Sequence, residues 1–257
     1  MKAAMTAEAR VRPRERRDLW WLEPLAIVVV LGVFVAYSTW AGLQNAHYYV
    51  APYLSPLYSP CISANCAHLT FGAALVGEWW RFSPAIFIVG FPLGFRLTCY
   101  YYRRSYYRAF FWAPPACAVP DVRRAYSGET RLPLVLQNVH RYFFYSAVAI
   151  LAVLGYDAIL GFGFPDGFGV GLGSLIMVAN VVLIGLYTFS CHSCRYLCGG
   201  YLDRFRGAPL RYRLWSAVNR LNVRHGLFAW LSLFSVGLAD LYIRLVSLGV
   251  IADVRFL

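Results

Sequence analysis

The chain has 257 residues, of which 60% are hydrophobic and 14% are charged. A soluble globular domain carries about 25% charged residues, so this composition excludes a soluble enzyme, a disordered chain and a disulfide-stapled secreted domain. The net charge of +12 would suit a nucleic-acid-binding protein, but long apolar stretches that hold almost no arginine separate the basic segments. The composition therefore indicates an integral membrane protein with no nucleic-acid partner.

Five apolar stretches are long enough to cross a bilayer as helices, which takes about 20 residues each. They cover residues 21–43, 83–102, 139–160, 170–192 and 224–250. We therefore expect an all-α integral membrane protein, with a bundle of five transmembrane helices over residues 21–257 and a basic tail over residues 1–20. Pro92 interrupts the second stretch and is expected to kink that helix.

The basic residues predict how the bundle is oriented. The tail contains six of them, the connection over residues 103–137 six and the connection over residues 195–224 seven. The two remaining connections, over residues 44–82 and 161–169, contain only Arg81. By the positive-inside rule, the N-terminus is predicted to be cytoplasmic and the C-terminus to lie outside.

Two cysteines fall in the long connection that is predicted to lie outside. Cys61 and Cys66 have four residues between them. In an oxidising compartment such a pair is most simply a disulfide. A metal site that also includes His68 is the alternative, because the three residues have ligand-like spacing.

Three more cysteines cluster at the predicted cytoplasmic end of the fourth span. Cys191, Cys194 and Cys198 are spaced i, i+3 and i+7, which puts all three thiols on one face if the helix continues. A shared face allows metal binding, although buried cysteine is also common as a small apolar residue. Cys99 and Cys117 are interpreted as structural.

Two histidines are predicted to lie at the same depth as these thiols. His140 and His225 begin the third and fifth spans, which run opposite to the fourth. Their first turns should therefore be level with its last turns. Two imidazoles and two of the three thiols would suit either zinc or a Rieske-type [2Fe–2S] cluster.

Other polar residues in or beside the spans are candidates for binding a quinone. Ionisable residues within membrane helices indicate function by default. Arg96 and Arg141 could donate hydrogen bonds to a quinone carbonyl, with Trp21 or Tyr142 packed on the ring. Contact between the arginines and lipid headgroups is the alternative, because long side chains reach the membrane surface from positions near it.

The fifth span contains one pair of opposite charges near its outer end. Asp240 and Arg244 are four residues apart. Residues with this spacing are neighbours on a helix surface. We expect an ion pair within the helix.

Several motifs identify a family. The most specific run is Gly94-Phe95-Arg96-Leu97-Thr98-Cys99, followed by three tyrosines and Arg103. The others are Trp20-Trp21-Leu22-Glu23-Pro24, Tyr53-Leu54-Ser55-Pro56, Ser59-Pro60-Cys61, and Cys191-His192-Ser193-Cys194 with Cys198-Gly199-Gly200. With these motifs the chain resembles the membrane-anchor subunits of actinobacterial succinate dehydrogenase, respiratory complex II, over nearly its whole length beyond the tail.

The resemblance implies a non-flavin subunit of succinate:quinone oxidoreductase, which is not catalytic alone. It implies a multi-pass protein of the bacterial inner membrane, surrounded by lipids, with a flavoprotein subunit and an iron–sulfur subunit on the cytoplasmic side. The basic connections could dock an acidic iron–sulfur subunit. The electron acceptor would be menaquinone or ubiquinone.

The resemblance also implies a haem-free anchor with a Rieske-type [2Fe–2S] cluster. The ligands would be His140 and His225 with two of Cys191, Cys194 and Cys198. The two-haem pattern needs four histidines on helices, whereas His47 and His68 fall in a connection. Histidine ligation raises the potential of a cluster above the roughly −400 mV of all-cysteine centres, which suits electrons from succinate.

Three other functions remain open at this point. The chain could be a cluster-free anchor that reduces quinone directly, or a haem b anchor that uses His140 and His225. It could also be a membrane thiol–disulfide oxidoreductase that connects Cys61 and Cys66 with the inner thiols.

Overall fold

The computed structural model describes residues 19–111, 134–200, 202 and 204–257. The predicted basic tail, apart from its last two residues, and Cys117 lie outside the described residues. The helices are α1 (Leu22–Leu43), α2 (Ala85–Thr98), α3 (Tyr100–Phe111), α4 (His140–Leu160), α5 (Leu172–Phe189), α6 (His192–Gly199), α7 (Pro209–Asn222) and α8 (His225–Ser247). A 3-10 helix precedes α4 at Leu134–Val139.

Two small antiparallel hairpins complete the described structure. One pairs β1 (Tyr49–Val50) with β2 (Tyr53–Leu54), and the other pairs β3 (Gly163–Phe164) with β4 (Gly167–Phe168). Both lie in connections between spans, so neither changes the fold class.

Four helices of the described part are long and apolar enough to cross a membrane: α1, α4, α5 and α8. Helices α2 and α3 together form a fifth candidate span that is bent by 77°. The all-α membrane fold class is confirmed, with four candidate spans in the described residues, or five if the bent pair crosses the membrane as one span. The orientation of the termini stays a prediction.

The second span breaks where a continuous helix over residues 83–102 was expected. Helix α2 continues through Pro92 and ends at Thr98, and Cys99 has extended backbone with ψ of 128°. The Thr98 hydroxyl donates to the Gly94 carbonyl at 2.6 Å, and the Cys99 amide donates to the Arg96 carbonyl at 3.2 Å. This tightened last turn ends α2, and the 77° bend between α2 and α3 lies at Cys99.

The fourth span also ends earlier than the expected residue 192. Helix α5 ends at Phe189, and Cys191 is extended, with ψ of 150°, as the N-cap of α6. The three thiols that were expected on one helix face therefore do not share a face of α5. The corner is held by a long-range contact, since the Asn222 side-chain amide donates to the Ser190 carbonyl at 2.7 Å.

Two glycines allow the close helix approaches that build this region. A Cβ atom at Gly94 would overlap the Phe143 ring, so glycine lets α2 lie against α4. A Cβ atom at Gly226 would lie 2.5 Å from the Tyr101 ring, so glycine lets the start of α8 lie against α3. An alanine at Gly94 would push α2 away from α4, and an alanine at Gly226 would push the start of α8 away from α3.

The bundle has two distinct ends. The disulfide end contains the Cys61–Cys66 disulfide, and the basic end contains α3, α6 and α7. The structure confirms the predicted disulfide, so these two sulfurs are not free to bind a metal together with His68. The His68 ring instead stacks on Tyr49, with 4.6 Å between the ring centroids.

The predicted ion pair of α8 is confirmed at the disulfide end. Arg244 Nε lies 2.7 Å from Asp240 Oδ2, and the two side chains are 3% and 0% exposed. The carboxylate also accepts hydrogen bonds from the hydroxyls of Tyr37, at 2.6 Å, and Ser55. The guanidinium donates to three further oxygens at or just after the end of α1: Gln44 Oε1 and the carbonyls of Ala46 and Ala41.

Candidate metal centre

Two thiols and two imidazoles meet at the basic end of the bundle. His140 Nε2 lies 3.0 Å from Cys191 Sγ, and His225 Nε2 lies 3.3 Å from Cys99 Sγ. Cys99 and Cys191 are 3% and 1% exposed. The arrangement therefore places two sulfur and two nitrogen donors in a shielded part of the protein.

Each of the four side chains comes from the end of a helix. His140 and His225 are the first residues of α4 and α8. Cys99 occupies the corner between α2 and α3, and Cys191 occupies the corner between α5 and α6. The helix breaks that the apolar pattern did not predict are therefore the features that bring both sulfurs to the histidines.

Aromatic rings and hydroxyl groups hold the two imidazoles. Phe95 stacks on His140 with centroids 4.8 Å apart, and Tyr187 stacks on His225 with centroids 5.0 Å apart. Outer partners of this kind fix the orientation of a ligating histidine.

The hydroxyl contacts follow a crossed pattern. Thr98 Oγ1 lies 2.8 Å from His140 Nδ1, and Ser190 Oγ lies 2.7 Å from His225 Nδ1. Each hydroxyl residue directly precedes one of the two cysteines in sequence. Each histidine therefore contacts the hydroxyl of one corner and the sulfur of the other.

A cavity of about 1090 Å³ borders all four side chains. Three arginines, Arg103, Arg141 and Arg224, contribute to its wall. A cavity of this size holds a ring-sized ligand, and its polar groups favour one with hydrogen-bond acceptors. Within the described residues, no three His, Cys, Asp or Glu side chains surround a single point as ligands of one ion; the four donors instead form two sulfur–nitrogen pairs.

The predicted metal ligands separate into two groups. His140, His225 and Cys191 come together, whereas Cys194 and Cys198 lie further along α6 and do not line the cavity. Burial raises the pKa of Cys194 to about 11, which disfavours its thiolate form.

Sequence reasoning missed Cys99, which it interpreted as structural. Its position beside His225 follows from the corner after α2, and the apolar pattern gave no sign of that corner. One signal was available, because Thr98-Cys99 and Ser190-Cys191 repeat the same pairing of a hydroxyl residue with cysteine near the same end of two spans.

Of the residues predicted to contact a quinone, Arg96 lies away from the cavity wall. Arg96 Nη1 donates to the Tyr102 hydroxyl at 2.5 Å, and Nη2 donates to Ser232 Oγ at 3.1 Å. The guanidinium also lies over the Tyr187 ring, 4.9 Å from its centroid. Arg96 therefore joins α2 to α3 and α8.

The other three predicted quinone contacts lie nearer the surface. Arg141 lines the cavity, and its guanidinium lies over the Tyr196 ring at 4.9 Å. Tyr142 is 71% exposed and Trp21 is 43% exposed, and neither lines the cavity. Of the four, only Arg141 has a side chain at the cavity wall.

Comparison with known proteins agrees with the motifs. Residues 22–249 match the family described as actinobacterial succinate dehydrogenase subunit SdhC. A solved chain from the Mycobacterium smegmatis Sdh1 complex in the apo form is 46% identical, with a TM-score of 0.87 and 98% of each chain covered. No curated protein matches the chain. The family match covers most of the sequence, and the chain therefore belongs to the SdhC subunits of actinobacterial succinate dehydrogenase.

Proposed function

We propose that this membrane anchor passes electrons from the iron–sulfur subunit of its complex to a membrane quinone through a Rieske-type [2Fe–2S] cluster. The flavoprotein and iron–sulfur subunits would bind on the cytoplasmic side, at the basic end of the bundle. The observation that carries the proposal is the meeting of Cys99, His140, Cys191 and His225.

The donor set fits this cluster. A Rieske-type centre has two cysteines on one iron and two histidines on the other. Both cysteines lie at the N-terminus of a helix, since Cys99 directly precedes α3 and Cys191 is the N-cap of α6. The positive end of a helix dipole stabilises the thiolate that binds metal.

The cluster would supply one-electron transfer between the iron–sulfur subunit and quinone. The protein's own groups do the remaining work. The rings of Phe95 and Tyr187 cover the imidazoles and exclude water, and the two corners hold the sulfurs. At the cavity wall, Arg141 offers N–H donors to a quinone carbonyl.

The test compares two sets of cysteine ligands in the assembled complex. The dithionite-reduced complex should contain iron and labile sulfide and give an EPR signal whose average g value is below that of an all-cysteine cluster. Cys99→Ala should abolish this signal because it removes one of the two sulfur ligands. Cys198→Ala is the matched control and should keep the signal, since Cys198 does not line the cavity.

Two results would contradict the proposal. One is zinc in place of iron and sulfide in the parent complex. The other is an EPR signal that survives Cys99→Ala but disappears in Cys194→Ala or Cys198→Ala. That result would place a cysteine ligand on α6 instead of at Cys99.

A further inference from the structure

We propose that Thr98 and Ser190 are positioning residues that hold both imidazoles as Nδ1–H tautomers, so that Nε2 of each histidine binds iron. This inference rests on the proposed cluster. It concerns which ring nitrogen binds the metal and which protein groups select it.

The Thr98 hydroxyl has one proton, and the backbone takes it. Thr98 Oγ1 lies 2.6 Å from the Gly94 carbonyl oxygen, which is only an acceptor, so the hydroxyl donates there. The same oxygen lies 2.8 Å from His140 Nδ1. With its proton used, Thr98 accepts in this second contact, and His140 Nδ1 must carry the hydrogen.

Ser190 repeats the arrangement on the other side of the site. Its hydroxyl donates to the Tyr187 carbonyl at 3.1 Å and lies 2.7 Å from His225 Nδ1. His225 Nδ1 is therefore the donor to Ser190. A neutral imidazole with hydrogen on Nδ1 has its lone pair on Nε2.

Both lone pairs point into the donor cluster. His140 Nε2 faces Cys191, and His225 Nε2 faces Cys99. Turning either ring by 180° would put Cδ2 in the place of Nδ1 and break its hydroxyl contact. The hydroxyls therefore select the same ligating nitrogen on each histidine.

The hydroxyls should also affect the electronic properties of the ligands. An acceptor at the remote N–H makes an imidazole a stronger donor through its other nitrogen. Stronger donation stabilises the oxidised iron and lowers the reduction potential. Removing the acceptor should raise the potential, because reduction then becomes easier.

The first test measures the potential of the cluster in the assembled complex by EPR-monitored redox titration. Ser190→Ala and Thr98→Val remove the hydroxyls, and Ser190→Thr and Thr98→Ser are matched controls that keep them. Each removal should favour the reduced cluster by about tenfold, which equals ~59 mV for one electron. The controls should keep the parent potential.

Unchanged potentials in both removal variants would overturn the positioning role. So would equal shifts in Thr98→Val and Thr98→Ser, because a packing change would then explain them.

The second test identifies the ligating nitrogen without any substitution. In a complex grown with histidine labelled with ¹⁵N at Nδ1 only, pulsed EPR should show the weak coupling of a remote nitrogen. A strong coupling from the labelled atom would place iron on Nδ1 and overturn the inference even if a cluster is present. A parent complex with no cluster signal would instead overturn the proposed function, so the two failures are distinguishable.

Discussion

The two ends of the bundle both bury polar groups, but they do so in different ways. At the disulfide end, Asp240 and Arg244 neutralise each other, and the surrounding oxygens use the remaining donors. At the basic end, soft sulfur and nitrogen donors meet in pairs beside a cavity. At the disulfide end the polar groups pair with one another and thereby join helices. At the basic end the sulfur and nitrogen donors face a cavity and are available to a ligand.

Replacing both histidines of the candidate metal centre should give the largest functional change. In the assembled complex, His140→Ala with His225→Ala should lower succinate-dependent quinone reduction by about 100-fold or more, since losing even an outer partner of a ligand costs about 10–100-fold. Succinate oxidation with a water-soluble dye as acceptor should stay unchanged. Full quinone reduction in the double variant would favour a cluster-free anchor.

Breaking the ion pair at the disulfide end should change stability rather than electron transfer. Arg244→Ala leaves a buried carboxylate without its counter-charge, which should cost about 3–5 kcal/mol of unfolding free energy. Thermal unfolding of the purified complex would measure the loss. The EPR signal per folded complex should match that of the parent protein.

A double variant sharpens this prediction. Asp240→Ala with Arg244→Ala should lose less stability than the sum of the two single losses, because the second removal no longer breaks a pair. Additive losses would show that the pair has no coupling. A changed EPR signal in any of these variants would show that the two ends are not independent.

Removing the disulfide should have the smallest effect. The Cys61–Cys66 bridge closes a short loop with a sequence separation of 5, and loop-closure entropy gives about 2 kcal/mol for such a loop. Cys61→Ala with Cys66→Ala should therefore lower the unfolding midpoint moderately and leave quinone reduction unchanged. Lost quinone reduction with normal folding would instead support the thiol–disulfide oxidoreductase alternative.

The apolar pattern was sufficient to find the spans but not their breaks. About twenty consecutive apolar residues predict a membrane helix, because in the bilayer core the backbone N–H and C=O groups can hydrogen-bond only within the protein. The breaks at Cys99 and Cys191 have no glycine or proline to mark them. They depend on hydroxyl-to-carbonyl bonds and on the contact from Asn222 to Ser190, which only the folded chain brings together.

The candidate site was predictable to a similar degree. The depth argument for His140 and His225 needs only the direction of each span, and the structure places both imidazoles in one cluster. The choice of cysteines needed the helix boundaries, because residues after a break no longer follow the helical spacing. Extending the fourth helix through Cys198 placed Cys194 and Cys198 beside Cys191 as candidate ligands and left out Cys99.

The crossed contacts of the histidines have a consequence for how the protein is made. Each imidazole needs a hydroxyl from one corner and a sulfur from the other, so no two neighbouring spans complete half of the site alone. His225 begins α8, the last of the described spans to leave the ribosome. Under the proposed function, delivery of iron and sulfide follows translation of the start of α8, because the site lacks His225 until then.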